Sequence, residues 1–227
     1  MSEYQVAFEV SGPAAMFARP DTGATPISYP VPTASAAKGM FDAVLRRAHM
    51  YVQPKLVEIC KPIRFERYVT NYGGPLRKGK DVKGDNSYQF LATILVDVCY
   101  RIHAEVHMKQ MSTRGNRGPQ LRHRRGQDWR PLFKQLFNER LEQGFTFYAP
   151  CLGWKEFVPN YFGPFREQDE FGQKIKPIST GEIHIPAMLI SMWNHQQYKP
   201  CFEERWIVDG IMSYEHERPP EGVRYAE

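Results

Sequence analysis

The sequence predicts an α+β fold, and three observations predict it. Residues Tyr88–Met108 alternate with period two, the mark of a strand with one buried face. Two other segments, one after Thr33 and one after Asp128, carry apolar residues at helical spacing. The elements then follow one another as strand, helix, strands, helix, strands, the order of two helices laid on one face of an antiparallel sheet. The expected arrangement is a ferredoxin-like or RRM-like domain over residues 1–165 with a basic hairpin or loop insertion. A small carboxy-terminal antiparallel β extension and tail is expected over 166–227.

Each element has its own justification. Tyr4–Val10 alternates and is rich in β-branched and aromatic side chains, so it reads as a first strand. The Pro- and Gly-rich stretch that follows reads as loop. Thr33 or Ser35 can cap a helix running to about Arg47, with Ala36, Met40, Phe41, Val44 and Leu45 as its apolar face. Gly39 within it costs about 1 kcal/mol against alanine, which suits a close approach to a neighbouring backbone. Leu56–Phe65 reads as a strand interrupted at Pro62, and Asn71–Asp85 as a basic, turn-rich excursion. Along Tyr88–Met108 one face holds Val96, Val98, Tyr100, Ile102, Ala104 and Val106. The other holds Cys99, Arg101, His103, Glu105 and His107 and should be wet. Asp128 as cap, Pro131 in the first turn and Gly144 past the end bracket a second helix, with Leu132, Phe133, Leu136, Phe137 and Leu141 as its stripe. Strands are expected at Phe145–Tyr148, Glu182–Trp193 and Glu204–Tyr214.

Composition narrows the class of protein. An apolar fraction of 42% with 14 Phe, 12 Tyr and 4 Trp can fill a core. Cys60, Cys99, Cys151 and Cys201 lie about forty to fifty residues apart, which fits free thiols in a reducing compartment rather than a disulfide framework or a metal site. No secretory leader and no membrane-spanning run is read, so the expectation is a cytoplasmic protein without membrane contact, cofactor or metal. His103 and His107 form an H-x3-H pair, but on a strand both belong to one wet face and have no companion ligands.

The charge is concentrated. Lys109, Arg114, Arg117, Arg122, Arg124, Arg125 and Arg130 face one acid, Asp128, a local surplus of +6 in a chain whose formal charge is +5. A second cluster at Lys61–Lys83 includes Arg77, Lys78 and Lys80. A loop dense in arginine repels itself until it meets phosphates, and planar guanidinium groups suit phosphate contacts and base stacking. Nucleic acid is the expected partner. Single-stranded RNA is favoured because no basic recognition helix is present. Tyr68, Tyr72, Tyr88 and Trp129 lie near these cations as candidate stacking platforms.

Several motifs together resemble one family. VSGPAAMFARP (Val10–Pro20) looks like a glycine-containing loop after a first strand, YPVPTASAAKG (Tyr29–Gly39) like the lead into a first helix, and FYAPCLGWKEF (Phe147–Phe157) like a PCLG-x-x-E-F signature. KPIRFE (Lys61–Glu66) and NYGG (Asn71–Gly74) fall between them in order. The chain thus resembles the type I-C branch of the CasD family, the fifth family of CRISPR-associated proteins, within the RAMP superfamily. The resemblance implies an RRM-like domain, a basic hairpin and a small carboxy-terminal sheet. It also implies a grip on the 5′ handle of the CRISPR RNA, contacts with the large and backbone subunits of the Cascade surveillance complex, and access to target DNA through that assembly. Arg19 and Lys38 fall in these motifs and join the expected RNA-binding residues.

Type I-C relatives usually also cut precursor RNA without a metal, an endonuclease activity that needs proton-transfer groups. The family places a Tyr or His late in the first helix and a Lys-His pair opening the second. The matching residues here are Leu45, Leu132 and Phe133, none of which moves a proton. His49, Tyr51 and His123 stand nearby as substitutes, with Lys134 a further cation. Two readings follow: an RNA-binding subunit, and an endoribonuclease with relocated groups.

Overall fold

Two helical crossovers organise the molecule. β1 (Gln5–Ala15) leads through α1 (Ala34–Val44) to β2 (Met50–Ile59). β3 (Phe65–Tyr72) pairs with the first part of β4 (Tyr88–Met108), and α2 (Arg130–Glu142) carries the chain on to β5 (Tyr161–Gly163). β6 (Glu182–Asn194), β7 (Gln197–Val208) and β8 (Ile211–Ser213) follow. The structure, a computed structural model, describes residues 4–23, 25–72, 88–109, 128–194 and 197–219. The strands form one antiparallel sheet in the order β5-β1-β4-β2-β8-β7-β6, with β3 beside β4 off this path. The α+β expectation holds: a mostly antiparallel sheet with two helices. The carboxy-terminal strands continue that sheet, because β8 pairs with β2 at Leu56↔Ser213 and Glu58↔Ile211.

Both helices cover one face. α1 starts where Thr33 Oγ1 accepts the Ala36 N–H at 3.3 Å and ends at Leu45, whose backbone is extended, two residues short of Arg47. Its buried Phe41 meets Phe8 of β1 at 4.6 Å and Phe137 of α2 at 5.7 Å between ring centroids. Side chains of this size contribute about 1.5–3 kcal/mol each when fully buried, so this aromatic row binds the helical layer to the sheet. Gly39 does not serve a close approach, since a Cβ there would meet nothing within 4 Å. For α2, Trp129 is the cap residue and makes no side-chain cap bond; Asp128 Oδ1 instead accepts the Arg130 N–H at 3.0 Å.

Four strand expectations move. β1 runs on to Ala15 through Gly12, so Val10–Ala15 is strand rather than loop. A Cβ on Gly12 would lie 2.6 Å from Leu152 Cδ1, and its absence lets the 152–160 segment cross the strand. β2 begins at Met50 and ends at Ile59 instead of spanning Leu56–Phe65, with a register shift at Pro54/Leu56 where proline cannot donate to a ladder. Phe145–Tyr148 is not a strand: the Phe147 N–H donates to Ala43 O at 2.7 Å, and Arg140 Nε donates to Val44 O at 2.6 Å. These bonds satisfy carbonyls at the end of α1 that the helix leaves open. Glu204–Tyr214 is split into β7 and β8 by Asp209 (φ 47) and Gly210 (φ 79), the double positive-φ turn that Asp-Gly favours in hairpins.

The second face of β4 is only partly wet, with Arg101, His103, Glu105 and His107 half-buried. Cys99 is buried, and Glu9 from β1 is 0% exposed between two arginines. Arg101 Nε reaches Glu9 Oε2 at 3.2 Å, Arg166 Nε reaches Oε1 at 2.8 Å, and the Arg166 N–H donates to Oε2 at 3.1 Å. Arg166 also lies 3.5 Å from the Tyr161 ring centroid, and Arg101 lies 4.8 Å from that of Phe165. His103 Nε2 bonds Glu58 Oε1 at 2.9 Å. A charge buried this deeply persists only with partners, and Arg101 of β4 and Arg166 supply them.

Candidate functional site

β2 begins beside the end of β4, at Met50↔Met108, where α1 hands over to β2 and where α2 begins. The loop between them brings His49 to a pocket of about 180 Å³ lined by Arg47, Met50, Trp129, Leu132, Phe133 and Leu136. The His49 and Trp129 rings meet edge to face at 6.5 Å. Lys109, exposed just past β4, donates its N–H to His49 O at 2.9 Å. Arg130, at the first turn of α2, sits over the Tyr4 ring at 3.8 Å and pairs with Asp128 at 2.8 Å. That guanidinium, through its hydrogen bonds, holds the Asp128 carboxyl well below the usual carboxylate range. The first and last cations of the arginine-rich segment are thus ordered around one corner of the fold, beside Arg47 and His49.

Tyr51 lies close in sequence but elsewhere in space. Its neighbours Met50 and Val52 are in the core under the helices, so alternation sends Tyr51 to the opposite face of the sheet. There it stacks on His107 at 5.2 Å with 21° between planes. His107 Nε2 is 3.7 Å from Glu105 Oε2, beyond hydrogen-bond reach, and is buried without a hydrogen-bond partner. His49 and Tyr51 therefore belong to two places and do not form one proton-transfer pair. Of the three positions expected to match the family's proton-transfer groups, Leu132 (44% exposed) and Phe133 (3%) line the His49 pocket, whereas Leu45 (1%) is buried in the core outside its lining.

The other described candidates are separate. Arg19 pairs with Asp21 at 2.7 Å and lies over Tyr29 at 5.7 Å, and its hydrogen bond with Asp21 raises its pKa. Lys38 pairs with Asp42 one turn along α1. Of the stacking candidates, Tyr68 packs edge to face on Phe157 at 5.4 Å and is spent on structure. Arg77, Lys78, Lys80, Arg114, Arg117, Arg122, His123, Arg124 and Arg125 lie outside the described residues. Among the described residues no group of three or more His, Cys, Asp or Glu could hold a metal, and no helix is long and apolar enough to cross a membrane. Sequence reasoning passed over Arg47 as a functional residue and assigned His107 to a wet strand face with no metal role. The Arg46-Arg47 pair at the end of the predicted helix was the available signal.

The motif segments interlock. The Met16 N–H donates to Leu152 O at 2.9 Å, and Gly153, at φ 92, lies so close that a Cβ would fall 1.8 Å from Met16 O. The Phe17 N–H donates to Ser28 Oγ at 2.9 Å, and the Tyr29 N–H donates to Phe17 O at 2.8 Å. Tyr29 OH donates to Ala187 O and accepts the Leu189 N–H, which anchors β6. The 10–20, 29–39 and 147–157 motifs are one contact network.

Comparison with known proteins gives a family and a fold. Residues 6–223 match the model of the Cas5d family, described as a CRISPR-associated protein. The chain is 27% identical over 157 residues to the CRISPR pre-crRNA endoribonuclease Cas5d of Thermus thermophilus, covering 69% of this chain and 62% of that protein. It is 28% identical over 180 residues to the protein of the same name from Mannheimia succiniciproducens, covering 73% of this chain and 74% of the relative. The matched region therefore spans less than two thirds of the Thermus protein. In structure it is similar to a CRISPR-associated protein at TM-score 0.63 and 15% identity, covering 94% and 92% of the two chains. It is also similar to a functionally uncharacterized protein from Streptococcus mutans at TM-score 0.64 and 17% identity, covering 94% and 93%.

Proposed function

The chain belongs to the Cas5d family of CRISPR-associated proteins, and on that premise we propose that it is the RNA-binding subunit of a type I CRISPR surveillance complex, holding the 5′ handle of the CRISPR RNA. The observation that carries this reading is the placement of charge. The Lys109–Arg130 segment holds the chain's whole positive surplus, and its two ends sit at the corner that also presents Arg47, His49 and Trp129. Cations and a half-buried aromatic at one corner are what a ribose-phosphate chain with splayed bases recognises. The β5-β1-β4-β2 order with a helix in each crossover supports a ferredoxin-like, RRM-like core over 1–165, with β3 added and 166–227 as an extension built on β2. The expected partners are the CRISPR RNA, the large and backbone subunits, and target DNA through the assembled complex, in the cytoplasm and without a cofactor.

A second reading is favoured by the names of the two relatives, both pre-crRNA endoribonucleases, and by the imidazole of His49 in a pocket. Metal-free cleavage would have such a base take the proton of a 2′-hydroxyl, whose oxygen attacks phosphorus while the 5′-oxygen leaves with a proton from an acid. Against it, Leu45, Leu132 and Phe133 supply neither base nor acid. One assay separates the two. Purified protein is incubated with labelled repeat RNA in EDTA, and the expected result is a shifted, intact RNA. A single cut near the base of the repeat hairpin would replace the binding reading with the nuclease. His49→Ala and His123→Ala would then identify the base. With about five phosphates neutralised, log affinity should fall against log salt with a slope near about −3.5; a slope near zero would remove the arginine-rich segment as the grip.

A further inference from the structure

The sheet has an edge that no strand among the described residues fills, and we propose that it is a docking site for an extended, basic peptide segment of a partner protein, added as a strand beside β1. The parity of β1 carries the argument. The Val106 N–H donates to Tyr4 O, so the even-numbered residues of β1 turn their backbone groups toward β4. Ser11 O accepts from the Asn160 N–H on the opposite side, so the odd-numbered residues face away from β4. β5 covers that side only at Glu9, Val10 and Ser11. It stops at Gly163, and Pro164 follows, which has no N–H to continue a ladder. The N–H and C=O groups of Gln5 and Ala7 are left pointing out of the sheet, with no strand beside them among the described residues.

The space next to those groups has the form of a missing strand. A groove of about 330 Å³ is lined by Gln5, Val6 and Ala7 on its floor, by Asn138, Leu141 and Glu142 of α2 on one wall, and by Pro164 and Phe165 on the other. The floor offers ladder groups and the walls offer apolar surface, which is the combination by which an extended segment is bound to a sheet edge. Alternate side chains of such a segment would fall toward Leu141 on one side and Phe165 on the other. The exposed carboxylate of Glu142 at the rim, with no ion pair among the described residues, selects a lysine or arginine. It also disfavours a second copy of this chain, because a two-fold pairing of this edge would bring the two Glu142 side chains together. The inference is independent of whether the chain holds RNA.

The full chain, labelled with 15N, is titrated to millimolar concentration with a synthetic acetylated heptapeptide, Lys-Val-Thr-Val-Thr-Val-Lys. Amide exchange at Gln5 and Ala7 should slow at least tenfold, while Val6 and Phe8, already bonded to β4, should change little. Ala7→Pro removes one outward donor and no bond to β4; it should weaken binding at least tenfold. Glu142→Lys, on the exposed surface of α2, should do the same with its melting temperature unchanged, and keeps the question open to test where Ala7→Pro unfolds. Replacing both lysines of the peptide by glutamate should also weaken it at least tenfold. No protection at Gln5 and Ala7 at millimolar peptide, or equal affinity for wild type and Glu142→Lys, would overturn the docking site.

Discussion

Replacing Gly153 by alanine tests the contact between the two halves of the family signature. Gly153 sits at φ 92, and a Cβ there would lie 1.8 Å from Met16 O and 2.5 Å from Met16 C. A non-glycine residue at such a dihedral costs about 1–2 kcal/mol. The overlap is with backbone, so no side chain can rotate away, and the 152–157 turn must lift from β1. That movement breaks the Met16–Leu152 hydrogen bond at 2.9 Å, worth about 1 kcal/mol net, and loosens Leu152, which is 0% exposed. The sum is about 3 kcal/mol. For a chain of this size that lowers the melting temperature by roughly 6–12 °C. The control is Gly23→Ala, where φ is 62 and a Cβ would meet nothing within 4 Å, so only the dihedral cost of about 1 kcal/mol applies. Urea unfolding followed by circular dichroism, with a shared m-value, measures both. Equal midpoints for the two variants would refute the argument that this signature glycine is retained for a backbone contact.

Two further outcomes follow from the buried groups. Burial raises the pKa of Tyr100, whose hydroxyl donates to Pro30 O at 3.0 Å; the unfolded phenol ionises near about 10. Above that pH the unfolded chain releases a proton the folded chain keeps, so the stability this tyrosine contributes is present below about pH 10 and is lost as pH rises further. Tyr100→Phe should give a shallower fall in urea midpoint between pH 9 and 11, and an unchanged slope would sink the assignment. Glu9→Gln leaves Arg101 and Arg166 facing each other without the carboxylate that lies 0% exposed between them. Removing one partner of such a buried pair costs about 3 kcal/mol, and a loss under 1 kcal/mol by urea unfolding would show the cluster to be solvated.

Legibility tracked the range of the interaction that determines each feature. α1, α2 and β4 were readable because caps, helical spacing and alternation are written in neighbouring residues, as at Thr33, Pro131 and Val98–Val106. The end of α1 was misplaced because Arg46 and Arg47 are good helix formers, and what ends the helix is the extended backbone of Leu45 leading into β2. Phe145–Tyr148 looked like a strand because its aromatics favour one, yet its backbone is used to cap α1, a contact about a hundred residues away in sequence. The face of β4 read as wet is partly covered through the Glu9–Arg166 pair, whose members lie 157 residues apart in sequence. Of the candidate site, the charge surplus was evident from composition, whereas the separation of His49 from Tyr51 depends on where β2 begins, and β2 had been started at Leu56 instead of Met50.

The same reasoning separates the family signature from the positions expected to hold proton-transfer groups. Gly12, Gly153, Phe17 and Tyr29 act through backbone clearance and main-chain hydrogen bonds that join β1, the 28–33 lead-in, the 152–157 turn and β6. Changing any of them disturbs several elements at once. Leu132 stands at the rim of the His49 pocket, 44% exposed, and a lysine there would reach solvent without disturbing the core. Leu45 and Phe133 are buried apolar groups packed in the core, which a tyrosine or histidine could enter only with a partner for its polar atom. The signature therefore reports the fold and the family. Of the three positions expected to carry proton transfer, only Leu132 could take a charged side chain without disturbing the core.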